Sequence, residues 1–364
     1  MKKITYSQVG DNYDTKDPVK KLAQISARQT IIKNDPDFRE ISDTRGESAF
    51  VWQQGNALMA SVVEGLGTKN LVADALRSES KTYYDIIGHD TVAAIINDLI
   101  TVGAKPRVVH AYWAIEDNSW LQDKKRMEDF VTGWRDACKI SMATWGGGET
   151  PTLKGIIERK TVDLGGAAIG VIKDKRRLIT DRNLKAGDRI ILLKSNGINC
   201  NGLSLARAVA KKLLKGYQTK LPNGKIYGEA LLTKTNIYAK LIQDLLDAGI
   251  KIHYISNITG HGLRKIMRAR GNFTYIIEKV FEPQEVFLFI QKHANLSDDE
   301  IYQTLNMGQD YAIFLPKKDI AKAQAIIKKN KFESINAGYV KRGPRQVVIK
   351  PKNLTFKSET LDLR

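Results

Sequence analysis

The string Glu64-Gly65-Leu66-Gly67-Thr68-Lys69 brings an acid, two glycines, a hydroxyl and a lysine together. Glycines let backbone N–H groups come close to a phosphate, Thr68 can add a hydroxyl, and Lys69 can add a mobile positive charge. Neither standard nucleotide loop is present, because the spacing is too short for Gly-x-x-x-x-Gly-Lys-Ser/Thr and does not fit Gly-x-Gly-x-x-Gly. A tight turn with a solvated lysine is the plain alternative. Asp90, Asn97 and Asp98 add carboxylate and amide oxygens that suit a hard cation such as Mg²⁺. Glu149 follows the glycines of Trp145-Gly146-Gly147-Gly148. Acids, glycines and a lysine together suggest a metal-bound polyphosphate. The alternatives are a solvated helix face for the first set and a glycine-rich strand end for the second.

Three further loops carry small polar residues. Ser195-Asn196-Gly197-Ile198-Asn199-Cys200-Asn201-Gly202 lies between an expected strand and an expected helix, where free N–H groups can hold a phosphate or merely cap a turn. Asn257-Ile258-Thr259-Gly260-His261-Gly262 has the same layout, and Asn306-Met307-Gly308-Gln309-Asp310 is a third turn before a strand. His261 is a possible acid or base, or a hydrogen-bonding loop residue. Cys138 and Cys200 are far apart and give neither a disulfide framework nor a metal knuckle.

The elements that must position these residues can be read from periodicity. Residues 57–63 read as a buried strand running into the Glu64 loop, and residues 85–102 as a helix closed by Gly103 with Pro106 beyond. On that helix Val92, Ile95, Ile96, Leu99 and Ile100 share one side, Asp90 and Asn97 fall opposite, and Asp98 flanks them. A strand at 107–114, an amphipathic helix carrying Met127, Phe130, Trp134 and Cys138, a short strand and a strand at 161–172 complete a β, α, β, α, β, β order. A basic connector at 173–188 precedes a second alternating unit with a strand at 189–194, helices near 203–214 and 236–248, strands at 251–255 and 311–315 and a helix at 320–329. This predicts two α+β or α/β units, residues 56–175, which carry the acid, glycine and lysine motifs, and residues 176–364. Residues 1–55 read as a polar arm with turns at Gly10, Asp17-Pro18 and Asp35-Pro36.

The chain has 364 residues, 42% hydrophobic and 27% charged, which argues against a disordered or fibrous protein. Its net charge of +18 suits an anionic partner. The basic residues are scattered and lack the interleaved aromatics of a stacking platform, so nucleic acid is the less favoured partner and a phosphorylated small molecule the more favoured. No apolar run approaches the roughly 18 residues of a membrane helix. The start of the chain is too polar for a secretory signal, so the cytoplasm is the expected location.

The ordered motifs Glu64-Gly-Leu-Gly-Thr-Lys69, Asp90-x₆-Asn97-Asp98-Leu99, Gly103-Ala104-x-Pro106 and Gly147-Gly148-Glu149-Thr150 resemble those of the aminoimidazole ribonucleotide synthetase family, the phosphoribosylformylglycinamidine cyclo-ligases. The loops at 195–205, Thr259-Gly260-x-Gly262 and Asn306-Met307-Gly308 look like that family's C-terminal motifs, and Thr5-Tyr6 through Gly10 and Asp14 resembles its N-terminal arm. The resemblance implies an N-terminal domain whose sheet pairs across a homodimer into a barrel-like core, and a C-terminal ferredoxin-like α/β domain. It implies ATP and Mg²⁺ as cofactors and a reaction in which ATP activates the formyl oxygen of formylglycinamidine ribonucleotide as a phosphate ester, which an internal nitrogen displaces.

Carried over residue by residue, the resemblance assigns metal binding to Glu64, Asp90, Asp98 and Glu149, and nucleotide binding to Gly65, Gly67, Thr68, Lys69, Asn97, Gly147 and Gly148. It assigns substrate binding to Ser195, Asn196, Gly197, Asn199, Asn201, Thr259 and Gly260. Lys69 and His261 are the catalytic candidates. The chain departs from the family at Glu64, usually aspartate, at Asn199 and Asn257, usually histidines, and at Gln24, where the arm usually has a lysine. Asparagine cannot exchange protons near neutral pH as histidine does. A small-molecule kinase like thiamine-monophosphate kinase and a non-catalytic nucleotide-binding paralogue are the alternatives. A selenophosphate-synthetase-like reading lacks the reactive Cys or Lys pair before Glu64.

Overall fold

The structure is a computed structural model and describes residues 3–10 and 12–361. Its first sheet has six strands: β1 (Phe38–Glu40), β2 (Phe50–Gln54), β3 (Ala57–Gly65), β4 (Lys105–Ile115), β5 (Thr144–Glu149) and β6 (Val162–Ile172), in the order β1-β2-β3-β6-β4-β5. All neighbours are antiparallel except the edge pair β4 and β5. Alternation makes this sheet two-faced: Leu58, Ala60 and Val62 of β3 are buried, while Met59 and Ser61 are half-buried and Val63 is exposed. The buried face carries α3 (Tyr84–Leu99) and α4 (Lys124–Ile140), with α1 (Tyr13–Arg28) and α2 (Asn70–Leu76) preceding them in the chain.

Two glycines set the position of α3. A Cβ on Gly88 would sit 2.3 Å from the Phe130 carbonyl oxygen, and one on Gly133 only 2.0 Å from that of Asp85. The two helices therefore meet backbone to backbone, an approach any larger residue would block. Around the crossing, Trp113 packs edge-on to Phe130 at 4.7 Å and to Trp134 at 5.3 Å.

The second sheet has seven strands: β7 (Arg189–Lys194), β8 (Tyr254–Asn257), β9 (Phe273–Ile277), β10 (Gln309–Leu315), β11 (Ser334–Arg342), β12 (Gln346–Ile349) and β13 (Leu354–Lys357), ordered β13-β12-β9-β11-β7-β10-β8. Strands β7 and β10 are among the most buried segments. The helices of this half are α5 (Leu203–Lys212), α6 (Tyr227–Leu231), α7 (Ala239–Asp247), α8 (Glu285–Ala294), α9 (Asp298–Tyr302) and α10 (Ile320–Lys329). The last strand of the first sheet ends at Ile172 and the first of the second starts at Arg189, so two domains share the chain.

Two expectations change. The polar arm contains the sixteen-residue helix α1 and already supplies β1 and β2 to the first sheet. Helix α1 carries Val19, Leu22 and Ile25 at helical spacing among polar residues and around Pro18, and these three lie on its surface at 63%, 64% and 59% exposure. Helix α3 is not amphipathic in the sense of having a wet side: Asp90, Asn97 and Asp98 are buried together with its apolar stripe, because the C-terminal domain covers the polar side. Among the described residues no helix is long and apolar enough to cross a membrane.

Candidate active site

The covered side of α3 and the loops of the second sheet line a polar cleft between the domains. Glu64 and Gly65 enter it from the end of β3, and Asn97 and Asp98 from the last turn of α3. From the C-terminal domain come Asn199 and Asn201 after β7, Asn257 at the end of β8, Thr259 just beyond it, and Asp310 at the start of β10. A second hollow under the arm, bordered by Tyr6, Arg264 and Glu300, contains none of the predicted acids.

The acids divide into two environments. Asp90 and Lys69 are both fully buried, and the Lys69 ammonium donates to Asp90 Oδ2 at 2.5 Å and to the Thr233 carbonyl at 2.8 Å. Asp90 also accepts from the backbone N–H of Thr235 through Oδ1 and from the Thr235 hydroxyl through Oδ2, each at 2.9 Å. This pair is a buried clamp between the domains, so Lys69 is not the mobile charge of the sequence reading, and both Asp90 oxygens already accept hydrogen bonds. Asn97 is used similarly: its Oδ1 accepts from Tyr238 N at 3.1 Å and its Nδ2 donates to the Asn236 carbonyl at 2.7 Å.

Glu64 and Asp98 remain open. Glu64 is exposed to the cleft, while its surroundings shed water and the Asp98 carboxylate repels it, raising its pKa to about 7 in that order of importance. Asp98 accepts from Asn257 Nδ2 at 2.8 Å through Oδ1 only. Two adjacent carboxylates without a hydrogen-bonded cation between them, and hard oxygen donors on every side, fit a divalent ion. The expected cluster of four acids does not form within the chain. Gly148 registers with Ala111, Ala111 with Gly166 and Gly166 with Glu64. Successive strands lie about 4.8 Å apart, so Glu149 stands roughly 14 Å across the sheet from the Glu64 end. Gly147, Gly148 and Glu149 are all exposed on the edge strand β5. Among the described residues no group of three His, Cys, Asp or Glu side chains converges as metal ligands.

The other predicted residues separate in the same way. Gly67 adopts φ +72°, and the Thr68 hydroxyl beside it is buried without a hydrogen-bond partner. Ser195 is buried and its hydroxyl donates to Asn306 Oδ1 at 3.3 Å, while Gly197 offers its carbonyl to Asn306 Nδ2 at 3.0 Å. Asn196 is exposed and donates to Asn236 Oδ1 at 2.7 Å. These three residues shape the loop, while Asn199, Asn201 and Thr259 line the cleft and Gly260 lies buried behind Thr259. Burial pushes the Cys200 thiol up to about 12, in keeping with an inert thiol. His261 Nε2 faces Asp17 Oδ2 of α1 at 3.2 Å. Burial, then Lys265, Arg264 and Lys20, drive its pKa down to about 2, an effect that a hydrogen bond with the Gly260 backbone opposes. An imidazole held neutral in this way ties the arm to the C-terminal domain and is a poor acid or base near pH 7.

Asp310 is the principal residue missed by the sequence reading. It is fully buried, accepting from Asn199 Nδ2 at 2.5 Å and from the Tyr238 hydroxyl at 2.6 Å. Desolvation raises its pKa to about 6. The turn before β10 was visible, but nothing in its residue types shows that it meets Asn199. Thr235 carried no signal at all.

The first domain matches the family model described as AIR synthase related protein, N-terminal domain, over residues 46–172, and the second matches the C-terminal domain of the same family over 185–350. The chain belongs to the AIR synthase related family. Curated relatives include phosphoribosylformylglycinamidine cyclo-ligase of Methanocaldococcus jannaschii, 32% identical over 90% of this chain and 89% of that protein. The enzyme of the same name from Methanosarcina barkeri is 33% identical over 77% and 80% of the two chains. The family fold also appears in a HypE–HypF complex, with TM-score 0.62, 17% identity and coverage of 92% and 98%. AaThiL complexed with AMPPCP and TMP has TM-score 0.62, 13% identity and coverage of 93% and 94%.

Proposed function

We propose that the protein is an ATP-dependent phosphoribosylformylglycinamidine cyclo-ligase of purine synthesis. The observation that carries this reading is the likeness to curated cyclo-ligases across both domains, at 32% identity over 90% of the chain. ATP phosphorylates the formyl oxygen of formylglycinamidine ribonucleotide, and an internal amidine nitrogen attacks the activated carbon. Phosphate leaves, giving aminoimidazole ribonucleotide, ADP and phosphate.

Glu64 and Asp98 are the residues that would hold Mg²⁺, and the ion when bound would neutralise the triphosphate and orient its terminal phosphoryl group. The Gly65 and Gly67 backbone and the unpartnered Thr68 hydroxyl are suited to phosphate oxygens. Asn199, Asn201 and Thr259 hold the acceptor from the opposite wall, with Ser195, Asn196, Gly197 and Gly260 supporting their loops. Phosphate is a good leaving group, so the remaining demand is to place nitrogen against carbon. Residues with no titrating imidazole at 199 and 257 can meet that demand. Lys69, Asp90 and Asn97 act indirectly here, by fixing the two walls to each other.

A homodimer and a cytoplasmic location are part of this reading. The uncovered face of the first sheet carries Val63, 79% exposed, and Tyr112, 43% exposed, and closing two such faces against each other would give the barrel-like core. Dimerisation is also the arrangement in which Gly147, Gly148 and Glu149 could serve a nucleotide site, that of the neighbouring subunit. In the C-terminal domain, the antiparallel set β11-β7-β10-β8 is the part we read as ferredoxin-like. The test is incubation of purified protein with ATP, Mg²⁺ and formylglycinamidine ribonucleotide. Equimolar ADP and aminoimidazole ribonucleotide support the reading, whereas ADP with another phosphorylated acceptor replaces it with the small-molecule kinase alternative.

A further inference from the structure

Ring closure leaves a proton on the attacking nitrogen, and a group at the cleft has to take it. The titratable side chains that line the cleft are Glu64, Asp98, Cys200 and Asp310. Glu64 and Asp98 are committed to the divalent ion, whose charge holds them ionised. The Cys200 thiol, pushed up to about 12 by burial, stays protonated near neutral pH. His261 is paired with Asp17 of α1 and does not line the cleft. The amides of Asn199 and Asn257 accept no proton. Asp310 is what remains.

The ladder puts Asp310 beside the ligands of the ion. Its backbone carbonyl accepts from Ile258 N at 2.9 Å, the next residue Tyr311 registers with Asn257, and Asn257 donates to Asp98. The carboxylate is held on both oxygens by neutral donors, Asn199 Nδ2 on Oδ1 at 2.5 Å and the Tyr238 hydroxyl on Oδ2 at 2.6 Å. Burial keeps the Tyr238 phenol protonated, so it can only donate to the acid. Each carboxylate oxygen retains a further acceptor site. The groups that act on Asp310 are Tyr238 and Asn236 before α7, Asn199 after β7 and, as a like charge, Asp90 of α3. Burial outweighs the donors and raises its pKa to about 6. An acid of that strength is ionised near pH 7 and still basic enough to accept a proton.

We propose that Asp310 is the general base of ring closure, its carboxylate taking the proton from the attacking nitrogen. The new C–N bond forms with the nitrogen's electron pair, the C–O bond to the phosphoryl group breaks, and phosphate leaves with the pair of that bond. Asn199 and Tyr238 are positioning residues that fix the carboxylate. The proposal rests on the cyclo-ligase reading, and it supplies a base where this chain has asparagine in place of the family's two histidines.

Single-turnover quench experiments on the wild type, Asp310→Asn and Asp310→Ala, with ATP, Mg²⁺ and formylglycinamidine ribonucleotide, test it by following ADP and aminoimidazole ribonucleotide separately. Asp310→Asn should form ADP within about threefold of the wild-type rate and slow aminoimidazole ribonucleotide by roughly a hundredfold or more. Added formate should restore ring closure to Asp310→Ala and leave Asp310→Asn unchanged, because there the amide fills the place of the base. In the wild type the ring-closure rate should fall as pH drops below about 6 and the base protonates, a limb that Asp310→Asn should lack. An Asp310→Asn protein that closes the ring at the wild-type rate would overturn the proposal. Equal loss of ADP and ring closure in both variants, with no rescue by formate, would also overturn it, since Asp310 would then be structural. A wild type that makes no aminoimidazole ribonucleotide would instead overturn the cyclo-ligase reading beneath it.

Discussion

Asp90 and Asp98 lie two helical turns apart on α3, and both are buried, at 0% and 6% exposure, yet they have opposite surroundings. Asp90 accepts on both oxygens, from the Lys69 ammonium and from the backbone and hydroxyl of Thr235. Asp98 has one neutral amide on Oδ1 and another carboxylate near by. A carboxylate with a buried lysine at 2.5 Å is a structural element, whereas two carboxylates facing each other at a cleft await a cation. Identical side chains on one helix thus separate into scaffold and site according to which oxygen atoms are already spent.

The sharpest way to break this contrast is to remove the lysine. Lys69→Met leaves Asp90 charged and unpaired in the interior, and should cost about 3–5 kcal/mol of stability in urea unfolding. A loss under about 1 kcal/mol would mean that the clamp is not structural. Asp98→Asn should do the reverse. Its unfolding free energy should move by less than about 1 kcal/mol, while kcat falls on the order of a hundredfold through lost phosphoryl-charge stabilisation. Steady-state rates alongside denaturation curves measure both.

Asp310 provides a third environment, a buried acid with only neutral donors. Its pKa is raised from 3.8 to about 6 in the folded protein, so the native state binds more protons than the unfolded state between those values. Its contribution therefore makes stability fall as pH rises from about 4 to 6, by on the order of 2 kcal/mol. Asp310→Asn should remove that decline, and denaturation curves at pH 4, 5 and 6 that remain parallel to those of the wild type would disprove the assignment. The smallest effect on the protomer is expected from Val63→Arg. It should change stability by less than about 0.5 kcal/mol while shifting sedimentation from dimer to monomer. An unchanged sedimentation coefficient would remove this sheet face from the proposed dimer.

Much of the frame was legible because apolar periodicity survives where elements pack on one side. The strand before Glu64, the α3 helix with the 3-10 turn that Gly103 closes after it, and the helix at Ile320–Lys329 follow from their patterns. Strands β9, β11, β12 and β13 did not: β9, β12 and β13 are only four or five residues long, β11 ends in Lys341 and Arg342, and the ladder partners are what hold them in the sheet. Of the residues singled out by type, Glu64, Asp98, Asn199 and Thr259 line the cleft. Residue types could not tell Asp98 from Asp90, because the difference lies in Lys69 and Thr235 arriving from distant loops. The grouping of Glu149 with the other acids failed for a related reason: it occupies a similar strand end, but three strands away across the sheet.

Divalent-ion binding compared between Asp98→Asn and Asp90→Asn tests the central contrast most directly. Mn²⁺ titration followed by electron paramagnetic resonance, in the presence of ATP and at a temperature where both variants remain folded, should show binding lost in Asp98→Asn and retained in Asp90→Asn. Retention in Asp98→Asn together with loss in Asp90→Asn would contradict the account.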